Sequence, residues 1–133
     1  MRMNRHNAGK QRGFTLLELM IVVGIVAILA GLAIAGYGFA TQKTRRAAAQ
    51  GCLTEAAQQM ERFYTINMTY VGAPLPACSA DVTSFYTIAF NGANTATGYA
   101  LSATPRGKQA SDKCGTMGVN SANARTPTTA GCW

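Results

Sequence analysis

The residue types that catalyse reactions are scarce in this sequence and are not grouped. The single histidine, His6, lies near the amino terminus, so the rest of the chain has no imidazole to act as a general base or a metal ligand. The carboxylates lack the dense spacing that a calcium loop or a two-metal site requires. They are Glu18, Glu55, Glu61, Asp81 and Asp112. The sequence therefore predicts a structural or binding protein, with no catalytic residues, no metal site and no cofactor.

The cysteines are the other residues whose chemistry is constrained by their spacing. They are Cys52, Cys78, Cys114 and Cys132. Their separations of 26, 36 and 18 positions contain no close Cys-x-x-Cys pair, which argues against a zinc site. An even number of cysteines in a small, lightly charged domain favours disulfide bonds in an oxidising compartment. The part of the chain that carries them is expected outside the cytoplasm.

Composition and charge set further limits. The 133 residues allow one modest domain, and the 48% hydrophobic and 13% charged shares combine a very apolar segment with a lightly charged one. Four of the cations, Arg2, Arg5, Lys10 and Arg12, fall in the first dozen residues, so the net charge of +7 drops to 7 − 4 = +3 without them. Net charge therefore leaves DNA binding without support.

The apolar segment has the length of a membrane-spanning helix. Leu19 to Ala40 is a run of 22 residues without a charge. At ~1.5 Å per residue this run is about 33 Å long as a helix, enough to cross a hydrocarbon core of roughly 30 Å. We expect residues 14–41 to form this helix and residues 42–133 to form a periplasmic or extracellular head.

The helical pattern continues beyond the apolar run but becomes one-sided. Its apolar positions recur at helical spacing and are Ala49, Cys52, Leu53, Ala56, Met60 and Phe63. One helix from about Phe14 to about Tyr64 is predicted, and Gly72 to Pro76 would end helical structure. The cations Lys43, Arg45 and Arg46 are expected on other faces, solvated or available to lipid headgroups, DNA or an acidic neighbouring subunit.

The remaining sequence has the alternation of β-strands. Tyr86, Ile88 and Phe90 alternate with their neighbours, and a second alternating run contains Tyr99, Leu101 and Ala103. A third strand is predicted at Gly115 to Asn120 with Met117 and Val119 facing inward, and Thr126 to Trp133 is either a short fourth strand or a loop. The predicted fold is α+β, with a small antiparallel sheet covering the amphipathic half of the long helix.

Glu18 stands at the start of the apolar run and needs a partner there. A carboxylate within lipid costs about 2.5 to 3.5 kcal/mol on insertion scales. The only local cation would be the amine created by cleavage before Phe14, four residues upstream. A packed helix could equally present Glu18 to the amine of another copy.

The segment Gly13-Phe14-Thr15-Leu16-Leu17-Glu18, followed by the apolar helix, resembles the class III signal of type IV pilins, in particular type IVa. The resemblance is specific over about Lys10 to Tyr37. It implies that residues 1–13 are a leader removed by prepilin peptidase between Gly13 and Phe14, that Phe14 is N-methylated, and that Glu18 guides docking in a helical filament. The segments around the cysteines are similar to those of PilE-type minor pilins.

The small residues of the apolar helix fall on one stripe. They are Gly24, Ala27, Gly31 and Ala35, at steps of three, four and four. Such stripes allow close helix packing, so we expect them in the filament core. The family commonly has proline where Ala35 stands, which leaves open whether this helix bends there.

The resemblance implies the structural, and specifically minor, subunit of a pilus (fimbrium) that assembles with other pilins after insertion in the inner membrane. Cell adhesion, twitching motility and DNA uptake are functions of that family. The alternatives are a type II secretion pseudopilin, a singly anchored extracytoplasmic binding domain and an ordinary secretory signal cut near Ala33-Ile34-Ala35.

Three pairings of the four cysteines are open. We favour Cys52 with Cys78, because Cys52 lies on the sheet-facing stripe and Cys78 follows the prolines that return the chain over the helix. The second bond would then join Cys114 to Cys132 and place Trp133 beside it.

Overall fold

The computed structural model describes residues 13–133; the expected leader, residues 1–13, lies outside this range except for Gly13. The described residues form two units, of which the first ends at Tyr37 and the second is Gly38–Trp133. The elements are α1 (Leu16–Asn67), α2 (Ala80–Thr83), β1 (Tyr86–Phe90), β2 (Ala100–Pro105), a 3-10 turn (Gly107–Gln109), β3 (Met117–Asn120) and β4 (Arg125–Thr126).

In the first unit, α1 has no covered face. Every described residue up to Ala40 is exposed, including the large apolar side chains of the predicted membrane segment. Among the described residues, α1 is the one helix long and apolar enough to cross a membrane. The helix is continuous through Ala35, where the family commonly has proline. A helix with this exposed surface requires lipid or other helices around it.

In the second unit, the apolar stripe of α1 forms one side of the core, as the helical spacing predicts. Ala49, Leu53, Ala56 and Met60 are 0–1% exposed. The helix continues to Asn67, three residues beyond the predicted end, and the next residue, Met68, has a positive φ of 56° that is incompatible with helix.

The sheet is antiparallel with the strand order β1-β2-β3-β4. Tyr86 pairs with Pro105 and Leu101 pairs with Val119, which brings the predicted inward-facing residues of the strands together. Tyr86, Leu101, Ala103, Met117 and Val119 are buried in one cluster with the helix stripe. The predicted fold, a long helix packed against a small antiparallel sheet, is confirmed.

The fourth strand is two residues long. Pro127 follows it and has no N–H with which to continue the ladder. Gly118 pairs with Thr126, and the neighbouring strands approach Gly118 closely. A Cβ on Gly118 would lie 2.8 Å from Thr126 Oγ1 and 3.2 Å from Leu101 O. A side chain at position 118 would therefore require Thr126 and the Leu101 backbone to shift.

Candidate functional site

Gly13 and Phe14 lie in non-helical backbone, just before α1, and both are exposed. The helix begins at Leu16, two residues after the predicted start, so the peptide bond between Gly13 and Phe14 is not enclosed in helical hydrogen bonds. A peptidase can reach such a bond without unwinding a helix.

The start of α1 is fixed by a side chain. Thr15 Oγ1 accepts a hydrogen bond from the backbone N–H of Glu18 at 3.2 Å. The sequence Thr-x-x-Glu is that of a capping box, in which the first residue accepts from the third helical residue. Glu18 also lies in the first turn, where a carboxylate interacts favourably with the helix dipole. The capping box was visible in the sequence but was not predicted.

The small-residue stripe lies further along the exposed part of α1. Gly24, Ala27, Gly31 and Ala35 are all exposed, and no atom lies within 4 Å of a Cβ placed on Gly24 or Gly31. In the single chain the stripe is thus uncovered, and a helix of another subunit could pack against it. Gly13, Phe14 and Glu18 are close in sequence to one another but not to the cysteines, so the predicted site residues do not form one site.

The two disulfide bonds join Cys52 to Cys78 and Cys114 to Cys132. This is the pairing that the sequence analysis favours. The first bond joins α1 to the segment that precedes α2, and the second joins the region before β3 to the carboxyl-terminal tail. Trp133 is partly buried beside this second bond, and its Nε1–H donates to Thr126 O at 2.6 Å.

A buried polar cluster connects α1 to the loop between β2 and β3. The Arg46 guanidinium donates to both carboxylate oxygens of Asp112, at 2.6 and 2.9 Å. Gln109 Nε2 and the Tyr86 hydroxyl also donate to Asp112, at 2.8 and 3.3 Å, and the Cys114 N–H does so at 3.1 Å. Because the side chains of Arg46, Gln109 and Tyr86 and the Cys114 N–H all donate to one carboxylate, Asp112 is the centre of this cluster.

The surroundings of the cluster stabilise the charged forms of Asp112 and Arg46. Burial alone would raise the pKa of the Asp112 carboxyl, but hydrogen bonds from Arg46 and the Cys114 N–H, the Arg46 charge and the Gln109 amide together lower it. The hydrogen bond to Asp112 raises the pKa of Arg46, against the effect of burial. Burial raises the pKa of the Tyr86 hydroxyl. The cluster therefore holds one buried ion pair over the ordinary pH range.

The burial of Arg46 corrects one expectation. The sequence analysis placed Arg46 with Lys43 and Arg45 on faces available to lipid, DNA or a neighbouring subunit, but Arg46 is 5% exposed. The helical spacing also places it one turn before Ala49 on the buried stripe, and Asp112 compensates its charge there. Arg45 is half-exposed and lies over the Phe85 ring at 3.6 Å from its centroid.

A second group of side chains joins α1 to the start of β2. The Tyr70 hydroxyl lies 3.0 Å from both Glu61 carboxylate oxygens, and the Tyr70 ring stacks on Tyr64 and meets Tyr99 edge-on. Burial raises the pKa of Tyr70 and of Tyr99. Tyr70 and Tyr99 are buried, so they act in the core.

Comparison with known families shows to which family the chain belongs. The model of the family described as "Type IV minor pilin ComP, DNA uptake sequence receptor" matches residues 36–118, and the prokaryotic N-terminal methylation motif matches residues 9–34. The chain belongs to this family of type IV minor pilins. The sequence-based expectation of a type IV minor pilin is confirmed.

Solved structures and one curated relative agree with this membership. A type IV pilin from Shewanella oneidensis is 33% identical, with a TM-score of 0.58, over 69% of this minor pilin and 97% of that chain. The non-core minor pilin PilV of Neisseria meningitidis, at 18% identity and a TM-score of 0.52 over 69% of this chain and 93% of its own, shows the same fold.

The curated relative matches only the amino-terminal region. Prepilin peptidase-dependent protein D of Escherichia coli K12 is 64% identical over 28 residues, which are 21% of this chain and 19% of that protein. The minor pilin thus matches about a fifth of the length of this relative.

Proposed function

We propose that this chain is a minor subunit of a type IV pilus and has no catalytic activity of its own. Prepilin peptidase cuts between Gly13 and Phe14, and Phe14 is then N-methylated. The observation that carries this proposal is that α1 is apolar and exposed up to Ala40 in the single chain. Most of this exposed part lies within the match to the N-terminal methylation motif, residues 9–34. Before assembly the chain spans the inner membrane once with residues 42–133 in the periplasm, and after assembly it is part of an extracellular filament.

The roles of the individual residues follow from their places on α1. Glu18, in the first turn, pairs with the methylated amine of a neighbouring subunit during docking. Gly24, Ala27, Gly31 and Ala35 allow helices of adjacent pilins to approach closely in the filament core. The two disulfides stabilise the head outside the cytoplasm.

Mass spectrometry of sheared surface filaments tests location and processing together. The expected amino-terminal peptide starts with N-methyl-Phe14, and the mature chain has 133 − 13 = 120 residues. Gly13→Leu should leave the precursor uncut in the membrane, because glycine offers the peptidase no obstructing side chain. Gly9→Leu, which puts the same residue elsewhere in the leader, is the control. A filament peptide that begins elsewhere, or normal cleavage of Gly13→Leu, contradicts the proposal.

A role in DNA uptake is a second proposal, supported by the description of the matched family model as a DNA uptake sequence receptor. In the second unit, Arg46 and Asp112 neutralise each other, which leaves seven cations and three carboxylates. The cations are Lys43, Arg45, Arg62, Arg106, Lys108, Lys113 and Arg125.

Binding of duplex DNA to the purified chain over a range of salt concentrations tests the second proposal. Phosphate contacts would make the logarithm of the binding constant fall linearly with the logarithm of salt concentration. Binding that does not depend on salt, or no binding to any duplex at low salt, contradicts a role as a DNA receptor but leaves the pilus proposal intact.

A further inference from the structure

Five cations of the second unit lie on the first turns of its helix or close in sequence to residues that contact these turns. Lys43 and Arg45 lie on α1, and the other three come from the chain between β2 and β3. Four are exposed and Arg45 is half-exposed. We call these five residues the basic patch: Lys43, Arg45, Arg106, Lys108 and Lys113.

The chain between β2 and β3 is held on this part of α1 by polar bonds. Gln42 Nε2 donates to Ser111 Oγ at 2.8 Å, and Gln109 Nε2 donates to the Gln42 carbonyl at 3.0 Å. Arg46 pairs with Asp112 one helical turn further. Lys108 and Lys113 flank these anchoring residues in sequence, so their positions beside α1 are fixed.

Arg106 and Arg45 both contact Phe85, the residue before β1. The Arg106 backbone N–H donates to Phe85 O at 2.9 Å, and its guanidinium donates to Thr83 O. Arg45 lies over the ring of the same Phe85. Phe85 therefore connects the Arg106 end of the patch to Arg45 on α1.

Among residues 13–133, the cations of the basic patch are not paired with carboxylates, although Asp81 lies two residues before Thr83, whose carbonyl accepts from Arg106. Asp112 is paired with Arg46, and within residues 13–133 none of the five patch cations forms an ion pair. The next carboxylate along α1 is Glu55, nine residues beyond Arg46, or about 13.5 Å along the helix axis. The patch is available to an anionic partner.

The distance along α1 from the apolar run to Lys43 and Arg45 sets the depth of these two residues when the run spans a membrane. Ala40 is the last residue of that run, and Lys43 and Arg45 follow three and five residues later in the same helix. These steps correspond to about 4.5 and 7.5 Å along the axis. A headgroup layer is roughly 5 to 7.5 Å thick on each side of the hydrocarbon core. The patch thus begins at the depth of the lipid phosphates.

We propose that the basic patch binds the phosphates of anionic lipid headgroups in the leaflet that faces the head. The patch then holds the head on the membrane before the subunit joins a filament. This inference rests on the proposed membrane anchoring of α1. Lipid is favoured over DNA because the short chain distance brings the patch to the headgroup layer whenever the apolar run is inserted. Each such cation raises binding to an anionic surface by roughly fivefold.

Amide hydrogen exchange of the full chain in lipid nanodiscs tests the proposal. One disc contains phosphatidylcholine alone, and the other contains equal parts of phosphatidylcholine and phosphatidylglycerol. We expect slower exchange in the peptide that spans Arg106 to Cys114 in the anionic disc, and loss of this difference at high salt, because salt screens charges at the surface. Recovery of the chain with the disc measures anchoring separately.

Two double variants, each of which removes two cations, distinguish lipid binding by the basic patch from attraction by the net charge of the head. Lys108→Gln/Lys113→Gln should lower surface binding by about 25-fold and reduce the difference between discs, because three patch cations remain. Arg62→Gln/Arg125→Gln removes two cations from other parts of the head and should keep it. Equal exchange in the two discs, or an equal loss in both variants, overturns the proposal. Protection that arises only on addition of duplex DNA also overturns it and assigns the patch to DNA. A chain that does not enter the discs overturns the proposed anchoring as well.

Discussion

Arg46 and Asp112 are separated by 66 positions and form a buried ion pair, with Arg46 Nη2 2.6 Å from Asp112 Oδ1. Both residues are nearly inaccessible, at 5% and 6% exposure. The pair joins the helix that carries the apolar run to the loop that carries most of the basic patch. Asp112 is thus one of the groups that hold this loop on α1, together with Gln109 and Ser111.

Removal of one partner should destabilise the second unit strongly. Asp112→Ala leaves the Arg46 guanidinium buried without compensation, and a loss of about 3–5 kcal/mol in the free energy of unfolding is expected. The double variant Arg46→Met/Asp112→Leu removes both charges and should recover part of this loss, since the Gln109 amide and the Cys114 N–H still lose their acceptor. Chemical denaturation of the detergent-solubilised chain measures both. Equal destabilisation by the single and double variants would show that the pair acts through shape and not through charge.

The same pair predicts the dependence of stability on pH. Because the folded structure lowers the pKa of Asp112, the folded state favours the carboxylate form. The stability this supplies is fully present above the ordinary carboxyl pKa of about 3.9 and is lost as pH falls through the lower folded value. Denaturation curves between neutral pH and acid should show this loss. In Asp112→Asn the corresponding part of the acid dependence should be absent; an unchanged acid dependence contradicts the assignment.

The fold could be predicted from the sequence where burial repeats with a regular period. Ala49, Leu53 and Met60 recur at helical spacing, and Leu101 and Ala103 alternate, so each pattern identifies the face that packs on the core. The first turn of α1 was also readable, since Thr15 and Glu18 form a capping box. The helix start predicted at about Phe14 is two residues too early, because Thr15 is the N-cap and α1 begins after it, at Leu16.

The polar core could not be predicted in the same way. A cation three residues before Ala49 reads as part of a solvated face unless its partner is known, and nothing in the sequence pairs Arg46 with Asp112. Gln109 is 0% exposed although it lies in a polar, lightly structured loop. The short α2 spans only Ala80–Thr83, barely one turn, and no periodic pattern can appear over four residues. These features depend on tertiary contacts.

Substitutions at Glu18 should separate its place in the first turn of α1 from its proposed role in docking. Glu18→Gln keeps the Thr-x-x-Gln capping box but removes the charge, whereas Glu18→Ala removes both. We expect both variants to insert in the membrane and both to be poorly incorporated in filaments, because the neighbouring methylated amine loses its partner. Immunoblots of membrane and sheared-filament fractions measure the two steps. Thr15→Ala, which weakens the cap alone, is the control, and wild-type incorporation of Glu18→Gln would contradict the pairing.

Gly118 should be intolerant of any side chain. In Gly118→Ala the new methyl group would meet Thr126 Oγ1 at 2.8 Å and Leu101 O at 3.2 Å, and the latter is backbone that cannot rotate away. Overpacking of this kind typically costs about 1–3 kcal/mol. Gly51→Ala, on an exposed part of α1 with no atom within 4 Å, should instead stabilise the chain by about 0.5–1 kcal/mol. Urea denaturation of the two variants measures the change in the free energy of unfolding, which should have opposite signs. Equal changes would contradict this prediction.

The disulfide between Cys114 and Cys132 should matter to stability and to the loop beside it. Its partners are 18 positions apart, which corresponds to about 3 kcal/mol in the chain-entropy model. Because the Cys114 N–H donates to Asp112, the variant Cys114→Ser/Cys132→Ser should also increase hydrogen exchange between Gly107 and Cys114. Cys52→Ser/Cys78→Ser, which opens a loop of 26 positions on the other side of the head, should cost a similar free energy but leave exchange in that loop unchanged. Non-reducing peptide mapping of the wild-type chain should give these two linkages, and a Cys52–Cys132 peptide or a free thiol would contradict them.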